Sequence, residues 1–136
     1  MVNCFKRIEL EYTLEHLEPI ISSQTMYYHY EVLHKNYEVK LAEILQGTEV
    51  KKNFPSLENL MQNLDKLPSN LRPDVQFFGG GVINHNFFFS HLTKAKDRNE
   101  REISSELVNL IKNKFASLEN LMKELVNSAL KVRGSG

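Results

Sequence analysis

The chain has 136 residues, 41% of them hydrophobic, which suits one modest domain or two small ones with a real core. Lys and Arg number 17 and Asp and Glu number 17, so the formal net charge is zero and there is no basic footprint for nucleic acid. The one cysteine, Cys4, excludes an intrachain disulfide and a cysteine-based zinc site.

No apolar run is long enough to span a membrane. The start, "MVNCFKRIEL", lacks the apolar core of a secretory signal and is too short and too acidic for a transit peptide. The expectation is a soluble cytoplasmic protein, or a mitochondrial-matrix one if the chain is eukaryotic and its transit peptide is missing.

In chain order, the first helix is expected from about Ser22 to Leu45. His29, Leu33, Tyr37 and Leu41 repeat every fourth residue and form one stripe. Ser22 or Ser23 can cap its start, and Gly47 ends it. A short helix follows over "SLENLMQNLDKL", Ser56 to Leu67, between Pro55 and Pro68. The next long helix runs from about Ser69 to Leu92, with Pro73 in its first turn, where a missing N–H does no harm. Phe78, Val82, His85, Phe89 and Leu92 share its apolar face.

The polar run from Thr93 to Glu102 reads as a linker. Two amphipathic stretches close the chain. Leu107, Leu110, Ile111 and Phe115 mark the first. Leu118, Leu121, Met122, Leu125, Val126, Ala129 and Leu130 mark the second, the cleanest apolar stripe in the sequence. "FPSLENLM" (Phe54 to Met61) and "FASLENLM" (Phe115 to Met122) nearly repeat. Their flanks differ, which fits two capped helix starts better than a duplication. No segment has the alternation of a strand, so the fold class is mostly α.

Two features carry chemistry. His29 and His85 lie mid-helix on apolar stripes, and they would face each other if the long helices pack antiparallel. Facing imidazoles suit Mn, Fe, Zn or Cu, although two donors are too few for a tight site. The second feature is "GGGVINHNFFF", Gly79 to Phe89. Each glycine costs about 1 kcal/mol relative to alanine inside a helix. Three of them before a histidine imply either close helix packing or room for a visiting side chain.

The whole pattern resembles the iron/manganese superoxide dismutases from Leu10 onward. "LEPIISSQTMYYHYEVLHKNY" resembles the family's "LEPxxxxxTMxxHHxxHHxxY", and "GGGVINHNFFF" its "GGGHxNHxxFW". "NLDKLPSNLRPDV" is similar to the segment that many bacterial members place before the glycines. "FASLENLMKELVNSALKVRGSG" resembles "FGSxxxFKxxFxxxAxxxFGSG". The resemblance implies that His29 and His85 are metal ligands and that Tyr37 belongs to the active-site hydrogen-bond network. His34 matches a histidine that is not a ligand, and His16 and His91 match nothing of known importance. Leu33 stands in place of the gateway histidine, Tyr30 in place of a histidine, Phe89 in place of a tryptophan, and Arg133 in place of an apolar residue.

By the same resemblance, the fold is a long antiparallel helical hairpin followed by the opening helices of a truncated α/β domain. The domains would be residues 1–92 and 93–136. The implied cofactor is one Mn per subunit, with Fe as the alternative, because Gly81 replaces the glutamine that iron-type members often carry. The implied substrate is superoxide, the complete protein is a homodimer, and neither nucleic acid nor membrane is a partner. The family's Asp and third His come later in its sequence, and no histidine follows His91 here. Half of the ligand shell is therefore expected to be missing, as in an N-terminal portion or a natural truncation. Besides superoxide dismutase, the sequence allows a non-catalytic structural protein on the same scaffold, or a plain helical bundle with buried histidines.

Overall fold

The computed structural model describes residues 5–93 and 102–132. Most of the linker expected over Thr93–Glu102 lies outside the described residues, as do Cys4, Arg133 and the closing "GSG". Among the described residues there is no strand. The fold is mostly α and divides into two compact units, 1–95 and 96–136.

The first unit is a helical hairpin. Its first arm, α1, joins three segments without a break: Ser23–Met26, Tyr27–His34 and Lys35–Ile44. Ser22 caps its start, Oγ accepting from the Thr25 amide at 3.1 Å. Val50–Asn53 (α2) and Leu57–Gln62 (α3) make the bend, followed by a 3₁₀ turn at Leu64–Lys66. The second arm, α4, joins Arg72–Asp74, Val75–Gly79 and Gly80–Ser90. Pro73 sits in its first turn.

The middle of α1, Tyr27–His34, is a π-helix. At its end the Lys35 amide donates to the Tyr30 carbonyl, five residues back. This wide turn changes which side chains face inward. The i+4 stripe read from the sequence puts Leu33 in the seam, but Leu33 is 43% exposed and His34 is fully buried. In an α-helix, residues five apart point about 140° apart. With hydrogen bonds reaching five residues back, that angle closes to roughly 50°. His29 and His34 therefore both reach the rings of α4.

Two apolar clusters hold the hairpin. Leu41, Leu45, Leu57, Leu60, Val75 and Val82 form the one at the bend. Leu17, Met26, Tyr30 and Phe89 form the one at the open end, where the N-terminal segment packs.

The second unit pairs Ser105–Phe115 (α5) with Leu118–Ala129 (α6). Ala116, with φ of 65°, makes the left-handed step that ends α5. The near-repeat is local helix-start chemistry: Ser56 Oγ accepts from the Asn59 amide and Ser117 Oγ from the Asn120 amide, each at 3.1 Å. Leu118, Met122, Leu125 and Val126 on α6 are exposed.

Candidate metal site on the helical hairpin

The seam brings His29 of α1 and His85 of α4 ring to ring, with centroids 5.0 Å apart and planes 83° apart. His34 lies almost flat against the His85 ring, at 5.2 Å and 26°. Tyr37 is 5.1 Å from His85. Phe89 closes the floor, 5.0 Å from His29, 5.2 Å from Tyr30 and 5.5 Å from His34, and is itself fully buried. The position that carries tryptophan in the resembling pattern is thus filled here by a phenylalanine ring on the same wall.

The glycines have a specific reason. A Cβ on Gly81 would meet the Tyr37 ring at 2.5 Å, closer than atoms pack. On Gly79 it would press on the Met61 sulfur at 3.0 Å and on Leu57 at 3.3 Å. On Gly80 it would meet only the end of Met61, at 3.7 Å. Gly81 thus lets Tyr37 lie against α4 beside His85. Of the two readings of the glycines, close helix packing is the one drawn here.

Hydrogen bonding fixes one nitrogen. His85 Nδ1 lies 2.7 Å from the Gly81 carbonyl oxygen. A carbonyl only accepts, so Nδ1 carries the proton and Nε2 of the neutral ring is left with its lone pair. That is the arrangement a metal-binding histidine needs. Burial, and then the neighbouring His85, lower the pKa of His29, which favours the neutral donor form.

His34 is more strongly affected. Burial, then His85, then Arg7 push its pKa down to about 4. The Val82 carbonyl and the Asn86 side chain oppose the shift. Neither of them makes a hydrogen bond of good geometry to the two ring nitrogens, which are buried without a partner.

Residues that the sequence did not single out stitch the N-terminal segment behind the site. Arg7 Nη1 donates to the Tyr30 carbonyl at 3.0 Å, and its guanidinium lies 4.2 Å over the Tyr30 ring. Its other nitrogens pair with Glu31 at 3.2 Å and Glu38 at 3.5 Å. Tyr30 Oη donates to the Ile8 carbonyl at 2.6 Å. Asn86, next to His85, accepts from the Ile8 amide at 2.9 Å and donates to the Lys6 carbonyl at 3.2 Å. These bonds span between 22 and 80 residues, so no local pattern signals them. Tyr30, where the resembling pattern has histidine, is an anchor for the N-terminal segment.

The donor set fits a transition metal in part. His29 and His85 present imidazoles of the right chemistry, with Nε2 of His85 free to bind. Among the described residues no group of three or more His, Cys, Asp or Glu side chains converges on one point. His16 and His91 lie apart from the seam: His16 stacks on Tyr12 and His91 on Phe87.

Comparison with known proteins identifies the hairpin. Residues 4–93 match the alpha-hairpin domain of the iron/manganese superoxide dismutases. The chain is 33% identical over 132 residues to superoxide dismutase (Mn/Fe) 2 of Staphylococcus aureus strains Mu50, N315 and MW2. The alignment takes in 97% of this chain and 63% of each relative. A helical hairpin that sets two histidines and a tyrosine against each other, matched over 90 residues by that domain, makes this chain a member of the iron/manganese superoxide dismutase family.

Proposed function

We propose that this chain supplies the hairpin half of a superoxide dismutase site, in which two superoxide anions and two protons become dioxygen and hydrogen peroxide. The observation that carries this reading is the pairing of His29 and His85, with Tyr37 packed beside His85. His29 and His85 would hold a manganese ion, or iron as the alternative. Gly81, by its resemblance to manganese-type members, favours manganese. A bound ion would supply the one-electron redox chemistry by which one superoxide is oxidised and the other reduced.

The chain's own residues do the rest. The Gly81 carbonyl keeps the proton on His85 Nδ1 and so keeps Nε2 as the donor. Tyr37 places a hydroxyl-bearing ring at the edge of the pair, where it can move a proton at Oη. Phe88 and Phe89 cover the His29 side with apolar surface. Superoxide is then the substrate, and the remaining donors, an Asp and a third His in the family pattern, come from outside residues 1–136.

The 136-residue chain is expected to bind Mn²⁺ weakly and to show little dismutase activity, because outer residues orient a ligand shell but do not replace missing ligands. Superoxide consumption and metal content are measured on the same sample. A chain extended through an Asp-x-x-x-His segment gains both. The His29→Ala and His85→Ala variants of that longer chain each lose metal. Retention of Mn²⁺ by both variants refutes the paired-ligand reading. Robust turnover by the short chain shows that other residues complete the site. A second reading, a non-catalytic member of the family, is favoured by Leu33, exposed at the position of the gateway histidine, and by Phe89 at that of the tryptophan, and the extended chain decides against it or for it.

A further inference from the structure

His34 is the residue in the seam that the proposed chemistry does not use. It is fully buried, and neither ring nitrogen has a hydrogen-bond partner. A buried polar group in that condition is costly, and a leucine or phenylalanine of similar bulk would avoid the cost. Its geometry suggests what it does. The His34 ring meets His85 at 26° and Phe89 at 21°, these two being 6.3 Å from each other so that the three rings form a triangle, with Tyr30 edge-on at 68°. His85 itself is held at one edge, by its Cβ–Cγ bond and by the hydrogen bond from Nδ1 to the Gly81 carbonyl in its own helix. Its far edge, which carries Nε2, is set by the rings packed around it, His34 among them with His29 and Tyr37.

We infer that His34 is a positioning residue for His85: its ring, packed on Phe89 and Tyr30 and delivered to the seam by the π-helical turn, limits the tilt of the His85 ring and so the direction of its Nε2. The inference rests on the metal reading for its purpose but not for its test. His34 is not counted among the ligands, since no group of three or more His, Cys, Asp or Glu side chains that could hold a metal is found among the described residues.

Three forms of the 136-residue chain separate the possibilities: wild type, His34→Phe, which keeps a flat ring, and His34→Leu, which keeps bulk and removes the flat face. Circular dichroism checks that all three fold. Nitrogen-15 spectra of the imidazoles report the tautomer of His85 without any metal. Mn²⁺ binding is read from loss of the free-ion electron paramagnetic resonance signal. The expected result is a single Nδ1-protonated His85 in wild type and His34→Phe. In His34→Leu, the His85 ring signals broaden as its orientation loosens, and Mn²⁺ affinity falls about tenfold, the lower end of the range for outer-shell positioning residues. An unchanged His85 spectrum in His34→Leu overturns the inference. So does a spectrum of His34→Phe that matches that of His34→Leu, which would assign the role to the nitrogens instead of the ring. Spectra that differ between His34→Leu and the other two forms as expected, while none of the three binds Mn²⁺, support the positioning role and refute the metal reading.

Discussion

Lowering the pH from 7 to 4 is expected to destabilise the hairpin by about 3 kcal/mol through His34 alone, taking about 1.4 kcal/mol per pKa unit. The sign follows from the direction of the shift. In the unfolded chain His34 protonates near its ordinary pKa of 6.5, whereas in the folded chain it resists until about pH 4. Between those values the unfolded state binds more protons. Stability is therefore intact above pH 6.5 and drains away as pH falls toward 4. His29, also lowered, adds loss in the same direction. All 5 tyrosines lie between Tyr12 and Tyr37 and there is no tryptophan, so tyrosine fluorescence reports on the hairpin alone. Urea titrations followed this way, at pH 7 and pH 4, should show wild type losing stability faster than His34→Phe. That variant removes the titrating group and the two unpaired nitrogens together. Parallel losses for the two proteins would show that His34 is not the acid-sensitive group.

Alanine at Gly80 and alanine at Gly81 should move stability in opposite directions. Both gain about 1 kcal/mol of helix propensity over glycine. At Gly80 the new methyl meets only the flexible end of Met61 at an ordinary 3.7 Å, so most of that gain survives. At Gly81 it meets three atoms of the Tyr37 ring, at 2.5, 2.6 and 2.8 Å. The nearest of these include Cγ, which sits close to the backbone and cannot swing aside cheaply. Overpacking of this kind costs about 1–3 kcal/mol, and the ring must leave its place beside His85. The two variants should therefore differ by about 2 kcal/mol in tyrosine-monitored urea unfolding, Gly80→Ala being the more stable. Equal midpoints would mean that Tyr37 does not pack on Gly81 in solution.

Local chemistry made much of this legible in the sequence. Ser22, Ser56 and Ser117 cap helices as their positions suggest, and Pro73 opens the second arm. Spacing on two helices was enough to nominate His29 and His85. The exposure of Leu33 and the burial of His34 were not legible, because they depend on a π-helical turn that no residue in "YYHYEVLH" announces. A period of 3.6 was assumed through a stretch that does not follow it. Arg7 and Asn86, and the anchoring bonds of Tyr30, were not legible for a different reason. Their bonds join residues far apart in the chain, and such contacts exist only once both arms have met.

The wide turn in α1 has a bearing on how sequences of different length are compared. A helix that takes more residues per turn than usual holds a spare residue. Val32, exposed within Tyr27–His34, could be removed and the turn closed to ordinary pitch. His29 and His34 would then stand four apart and still share a face, with Tyr37 and Leu41 following in the same phase. A relative one residue shorter in this segment can therefore keep every ring in the seam. A single-residue gap between the two histidines, where one occurs, is expected to go with a change of helical pitch.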